Sequence, residues 1–467
     1  MMTDDQNKRT TISLKNKPLQ TRKGHENKRL GARARRVEQA HYQQQISATA
    51  AQTETVSTKP ANSSTANRVV PVSKHAQKNH TKIAKPHLFG AFASCPQGLE
   101  QALFDELSQL GFSHLQRTHA GVLFSTDMQG IYRANLYSRI ATRILLQLKQ
   151  AKVYDEDELY EFAMSIAWED WFGPEHRLRV DTSAIRSPMQ SLQFCNLRVK
   201  DAICDRLRQK EGARPSVDTV RPDAKVHLFL KENQATLYLD SSGESLFKRG
   251  WRLDKAQAPI RENLAAGILA LSGWQPGETI LDPFCGSGTL LIEAAWQAQN
   301  VPPGLLRPFQ FQRWRGFKQS QWIDVKEQAR AQILPRLETA LFASDINPNM
   351  QLLLQQNLQR ANLSAQTIQF RACNALDIEA PASSGHIITN PPYGERLDDD
   401  IEALWHPWSA VLKQRFDNWQ AHIITSDLEL PKKLRLKPQR RHPLYNGKLD
   451  CRLFTFTLVK DSFRKEA

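Results

Sequence analysis

Ten residues, Ile280-Leu281-Asp282-Pro283-Phe284-Cys285-Gly286-Ser287-Gly288-Thr289, constrain this chain more than any other stretch. An apolar run ends in an acidic residue and a proline, then two glycines one residue apart, ahead of a helical pattern. That order describes a buried strand, a tight turn and a helix, the junction where an open α/β sheet places its ligand. Gly286 and Gly288 allow backbone amides to approach an anionic group at the helix N-terminus. No Gly-x-Gly-x-x-Gly is present, which argues against a dinucleotide site, and no Lys-Ser/Thr follows the glycines, which excludes a P-loop.

The pattern from Ala258 onward extends this junction into a larger α/β unit. A helix is predicted over Asn263–Leu271 and strands over Thr279–Leu281, Leu341–Ser344, Thr367–Phe370, Ile387–Thr389 and Ala421–Thr425. A last hairpin turns at Asn446-Gly447 and returns through Leu453 to Leu458. The whole suits a doubly wound sheet with an antiparallel edge. The segment from Ala295 to Leu341 is too long for one crossover and reads as an insertion beside the site.

S-adenosylmethionine (SAM) fits such a sheet. The turn Gly286-Ser287-Gly288-Thr289 suits its carboxylate, and Asp282 suits the α-ammonium. Asp345 ends the second strand where a carboxylate would bind the ribose hydroxyls, and Asn374, after the third, is placed for the adenine amine. Asn390-Pro391-Pro392-Tyr393 follows the fourth strand. An exocyclic base amine is a poor nucleophile because its lone pair is delocalised into the ring. Hydrogen bonds from its N–H groups to the Asn390 amide oxygen and the Pro391 carbonyl redirect that pair toward a methyl donor. The prolines fix the backbone, and Tyr393 can stack on an extruded base. Cys285 reads as a packing residue, since this chemistry needs no thiol.

Composition narrows the setting. No apolar run approaches a membrane span, and the polar N-terminus leads us to expect no secretory signal. Six scattered cysteines without Cys-x-x-Cys point to reduced thiols in a cytoplasmic protein, with neither a zinc site nor a disulfide framework. The formal charge is +15, but residues 1–85 hold 17 Lys+Arg against 5 Asp+Glu, with no Phe or Trp and a single Tyr42. This tail is expected to be disordered, either as a linker or as a tether that binds phosphate by charge alone.

Between tail and sheet the pattern is α+β. Strands are predicted at His87–Phe92 and Val122–Phe124, and helices over Leu99–Leu110 and over Ile131–Ile144, the latter with a basic face of Arg133, Arg139 and Arg143. A second small unit has a strand at Leu178–Asp181, a helix over Leu197–Leu207 and a hairpin around Glu232-Asn233. The closing Lys248-Arg249-Gly250-Trp251-Arg252 reads as either an RNA contact or a solvated connector.

Several segments in order resemble the THUMP-containing RNA methyltransferases. They are Phe92-Ala93-Ser94-Cys95-Pro96-Gln97-Gly98-Leu99-Glu100, Val153-Tyr154-Asp155, Val199-Lys200-Asp201-Ala202-Ile203, Ala258-Pro259-Ile260-Arg261-Glu262-Asn263-Leu264-Ala265 and Asn390-Pro391-Pro392-Tyr393-Gly394-Glu395-Arg396-Leu397. Within that family the chain is most similar to the bacterial 23S rRNA guanine-N2 methyltransferases. The resemblance implies a disordered basic tail (1–85), a ferredoxin-like lead-in (86–150), a THUMP RNA-binding domain (151–250) and a Rossmann-like, SAM-dependent methyltransferase domain (251–467). It implies methylation of a guanine N2 amine in 23S rRNA or a large-subunit precursor, with no obligate protein partner. Some relatives carry a second methyltransferase domain at the C-terminus; none is expected here, nor a second modification. Three other readings stay open: the same chemistry on tRNA, a protein glutamine methyltransferase, and a catalytically inert RNA-binding assembly factor.

Overall fold

The computed structural model describes residues 88–252, 260–392 and 399–459. The expectations for the tail and for Tyr393 lie outside the described residues.

The first module runs β1 (Phe89–Ser94), α1 (Glu100–Gln109), β2 (Ser113–Thr118), β3 (Gly121–Thr126), α2 (Met128–Tyr137) and β4 (Arg143–Lys152). Leu99, Leu103 and Leu107 recur every four residues and are fully buried, so α1 lays one stripe on the sheet. Asp127 caps α2 by accepting the Gly130 amide at 2.8 Å, a bond of the kind worth about 1 kcal/mol. The second module adds α3 (Glu156–Met164), β5 (Arg177–Ile185), α4 (Leu192–Glu211), β6 (Ser216–Val217), β7 (Ala224–Lys231) and β8 (Gln234–Asp240). The β7–β8 hairpin turns at Glu232-Asn233 as the sequence implies, with Glu232 at φ +53°.

These two modules share one eight-stranded sheet, ordered β2-β3-β1-β4-β8-β7-β5-β6. The joint is the antiparallel pair β4–β8, which runs from Leu145↔Asp240 to Lys152↔Gln234. This explains two differences from the sequence expectation. The helix expected over Ile131–Ile144 stops at Tyr137, and Arg143 onward is a central strand, because Ile144 and Leu146 are needed in the sheet core. Arg139 and Arg143 therefore form no basic helical face. Arg139 donates to the Val301 carbonyl at 2.8 Å, and Arg143 pairs with the fully buried Asp240 at 2.5 Å. The edge strand β2 has no buried residue, so nothing in Ser113–Thr118 signals a strand.

The third module is a seven-stranded sheet ordered β11-β10-β9-β12-β13-β15-β14. Its elements are α5 (Glu262–Ser272), β9 (Ile280–Asp282), α6 (Thr289–Ala298), α7 (Gln319–Ala331), β10 (Leu341–Asp345), α8 (Asn349–Arg360), β11 (Ile368–Ala372), β12 (Gly385–Thr389), α9 (Asp399–Arg415), β13 (Trp419–Thr425), β14 (Arg440–Asn446) and β15 (Leu449–Thr457). The five strands β11, β10, β9, β12 and β13 are parallel, while β15 and β14 close the edge antiparallel. Chain order reverses between β9 and β12, so the switch point where such sheets bind ligands lies between their carboxyl ends.

The modules are fastened to one another by buried polar contacts. The Lys248–Arg252 cluster is not a solvated connector, although Lys248 itself is exposed. Arg249 is 1 % exposed and Trp251 is fully buried. The Arg249 fork meets Glu293 of α6 at 3.1 and 3.2 Å. The insertion between α6 and β10 faces the first two modules, not the site. Arg307 donates to the Ser242, Glu244 and Ser245 carbonyls, Arg315 pairs with Glu175 and Glu211, and Phe311 packs on Tyr132 at 4.6 Å. Trp314 in this insertion is buried against Trp171. At the far side, Gly98 sits at φ +93° with no room for a Cβ, which would meet the Pro443 carbonyl oxygen at 2.2 Å.

Candidate active site

The site is built where β9 and β12 end side by side. Asp282 closes β9 and is 2 % exposed. Its Oδ1 accepts a hydrogen bond from the Thr389 hydroxyl at 2.6 Å and another from the Phe284 amide at 3.1 Å. Burial pushes its pKa up to about 7; the Thr389 and Phe284 hydrogen bonds oppose the rise, and the nearby Asp345 carboxylate adds to it. Thr389 is the last residue of β12 and precedes Asn390. One hydrogen bond therefore ties the glycine turn's strand to the Asn-Pro-Pro segment.

The turn itself has little freedom. The Cys285 amide donates to the Ser344 carbonyl at 3.0 Å, and the Gly286 amide donates to Asp345 Oδ2 at 3.0 Å. Gly286 (φ +52°) faces open space, whereas a Cβ on Gly288 (φ +80°) would strike Leu354 at 2.2 Å. Asn357, fully buried on α8, donates to the Ser287 carbonyl at 3.0 Å from behind. Ser287 and Thr289 are each 4 % exposed, with their hydroxyls 3.5 Å apart. Burial, together with the carboxylates of Asp282 and Asp345, pushes the Cys285 thiol well up, which fits a packing residue and not a thiolate nucleophile.

Asp345 lies at the end of β10, half-buried, and its Oδ1 accepts the Asn347 amide at 2.9 Å. Asn374 follows β11, where its Oδ1 accepts the Leu376 amide at 3.0 Å. Its acceptor is thus engaged in a local turn, and the amide NH2 is the group to offer a ligand. Asn390 is half-buried, and its Oδ1 is fully buried with no hydrogen-bond partner among the described residues. A lone acceptor in that state costs about 1–3 kcal/mol unless a donor arrives. Pro391 is buried and Pro392 half-buried, and they hold the backbone that carries it.

The structure thus brings Asp282, Gly286, Ser287, Gly288, Thr289, Asp345, Asn390, Pro391 and Pro392 to one end of the sheet, with Asn374 in the turn that follows the next strand out, β11. Thr389 and Asn357 are positioning residues that sequence reasoning passed over. Thr389 had a usable signal, standing between a buried strand and the Asn-Pro-Pro segment. Asn357 had none, since it sits 70 residues from the carbonyl it holds.

Comparison with known proteins supports this architecture. Residues 249–455 match the RMKL-like methyltransferase domain, residues 153–240 the THUMP domain and residues 91–145 the RlmL ferredoxin-like domain. The chain is 36% identical over 382 residues to the ribosomal RNA large subunit methyltransferase K/L of Shewanella oneidensis, covering 80% of this chain and 54% of that protein. It thus spans about half the length of the curated relatives it matches. Among solved structures, a possible methylase from Clostridium difficile 630 superposes with a TM-score of 0.74 at 29% identity, over 81% of this chain and 100% of that one. A crystal structure described as a methyltransferase complexed with SAH gives a TM-score of 0.72 at 28% identity, over 80% and 99%. With three domain matches in the expected order, and this identity across most of its length, the chain carries an RlmL ferredoxin-like domain, a THUMP domain and an RMKL-like methyltransferase domain.

Proposed function

We propose that this chain transfers a methyl group from SAM to the exocyclic N2 amine of a guanine in 23S rRNA or a large-subunit precursor. The observation that carries the reading is the buried Asn390 Oδ1 at the switch point, without a hydrogen-bond partner among the described residues and held beside the glycine turn through Thr389 and Asp282. It is an acceptor where an amine must be received. The named relatives support ribosomal RNA as the substrate, and the THUMP match supports RNA recognition apart from the catalytic sheet. We assign residues 86–150 to the lead-in, 151–250 to RNA binding and 251–467 to catalysis.

The residues present fit SAM. Gly286 opens on free space at a helix N-terminus, and Asp282 offers a carboxyl beside it. Asp345 borders the same turn for the ribose, and Asn374 stands one strand further for the base. When bound, SAM supplies an electrophilic methyl on a sulfonium. Asn390 Oδ1 and the Pro391 carbonyl accept the two amine hydrogens and turn the nitrogen lone pair toward it, and Tyr393 stacks on the base. The alkylated amine is acidic, so its proton needs no strong base.

The test is mass analysis of nucleosides from rRNA and tRNA of cells lacking the gene. Loss of one N2-methylguanosine from 23S rRNA is the expected result. Loss from tRNA alone, or a missing methyl on a ring carbon or ribose oxygen, would overturn the assignment.

Asp282 adds a pH dependence. Its folded pKa lies above the unfolded value, so its contribution to stability is present below about pH 4 and is lost as the pH rises through about 7. Pairing with the α-ammonium requires the ionised form. SAM affinity should therefore rise with pH and level off above about 7, with proton release on binding below that point. Calorimetry in buffers of different ionisation enthalpy checks this. Asp282→Asn should abolish the proton release, and pH-independent binding by the unaltered chain would remove Asp282 from the role.

A further inference from the structure

Arg252 stands in an electrostatically odd place. Its guanidinium donates to the Thr289 hydroxyl and, at 3.1 Å, to the Ile260 carbonyl. Thr289 is the first residue of α6, directly after the glycine turn. A helix N-terminus carries partial positive charge, so a cation is unfavourable there unless an anion comes with it. The side chain is only 11% exposed, so water screens little of that cost. Glu262 is the nearest counter-charge, with its Oε1 3.3 Å from Arg252 Nε. That contact is an ion pair without a directed hydrogen bond, and Nε stays buried with no hydrogen-bond partner among the described residues. Burial lowers the pKa of Arg252 and raises that of Glu262, so neither fully compensates the other.

The turn's other charged neighbours have the opposite sign. Asp282 and Asp345 both border it, the first suited to the α-ammonium of SAM and the second to its ribose hydroxyls. Among the described residues, Arg252 is the one cation hydrogen-bonded to residues 282–289. The carboxylate at the amino-acid end of SAM needs the converse of those acids: a fixed donor of positive charge beside the turn, whose Cys285, Gly286 and Gly288 amides already donate within the protein. A guanidinium also presents its donors in a planar fork that matches a carboxylate.

Resting on the reading that this turn holds SAM, we propose that Arg252 is the cofactor-positioning residue that receives the SAM carboxylate, its fork aligned by the Thr289 hydroxyl and its residual charge offset by Glu262. Arg252 lies on the same short segment as Arg249, which grips α6 one turn further along at Glu293. The segment leaving the THUMP module would then set the grip on the cofactor.

The experiment measures binding of S-adenosylhomocysteine and of its decarboxylated analogue by calorimetry, to the full chain and to variants. Arg252→Gln should weaken S-adenosylhomocysteine by about 10- to 100-fold and leave the decarboxylated analogue within about twofold. Arg252→Lys should lose less, with the same selectivity. Should Arg252→Gln fail to fold with Glu262 left unpaired, the double variant Arg252→Met with Glu262→Gln removes the pair as a unit and should show the same selective loss. Equal weakening of both ligands would mean that Arg252 only supports the fold, and unchanged affinity for both would remove it from the site; either result overturns the proposal. If the unaltered chain bound neither ligand, the SAM reading of the turn would itself fail, an outcome separate from the other two.

Discussion

Asn390→Ala is expected to slow methyl transfer in a single turnover by about 100-fold or more, while RNA affinity stays within about twofold. The amine becomes tetrahedral only as the methyl moves, so the bond to Asn390 Oδ1 strengthens between ground and transition state. A 100-fold loss corresponds to about 2.7 kcal/mol, within reach of one buried hydrogen bond to a nitrogen gaining positive charge. Removing an acceptor that lacks a partner among the described residues should also leave the fold no less stable, so melting and catalysis should part company. A variant that transferred methyl normally once saturated with RNA would place Asn390 in binding alone and defeat the proposed chemistry.

The second large effect is on stability. Glu293→Ala should cost about 3–5 kcal/mol, because it strands a buried guanidinium. Arg249 and Glu293 are 1% and 0% exposed, and both ends of the fork are engaged. Arg139, whose carbonyl accepts from Arg249, is a second buried cation nearby; burial lowers its pKa to about 10 and Glu293 pulls it back up. Losing Glu293 would therefore strand Arg249 and leave Glu106 as the remaining carboxylate acting on Arg139. Glu293→Gln keeps a hydrogen-bonding shape but not the charge, and should fall between the two. Urea titration of the three proteins, followed by tryptophan fluorescence, measures this. A loss below about 1 kcal/mol for the alanine variant would show that water reaches the pair.

The sequence made the catalytic sheet legible because its signals are local. Asp282 through Thr289 specify a turn from their own backbone needs, and Asn390-Pro391-Pro392 is stiff whatever surrounds it. Leu99, Leu103 and Leu107 announce α1 in the same way. What stayed hidden depends on partners far along the chain. Arg139, Arg249 and Arg307 look like solvated charge in sequence, yet each is buried on carbonyls or on a carboxylate 44 or more residues away. Ile131 to Ile144 carries a helical rhythm, but the sheet claims its last residues. The polar edge strand β2 buries nothing and so leaves no pattern. The site residues were named from type and order; that Thr389 bridges to Asp282 needed the third dimension.

The continuous eight-stranded sheet bears on how such proteins can be recombined. The ferredoxin-like match ends at residue 145 and the THUMP match begins at 153, so the two look like exchangeable beads. The backbone disagrees: β4 is hydrogen-bonded to β1 on one side and to β8 on the other. A cut between the beads would expose two long strand edges at once, each a template for sticking to other chains. A chimera that borrows a relative's RNA-binding part should therefore be spliced after Arg252, once the sheet is complete and the Arg249 grip on α6 is included. For this chain the portable cassette is the whole sheet, and its price is a matching helix on the recipient.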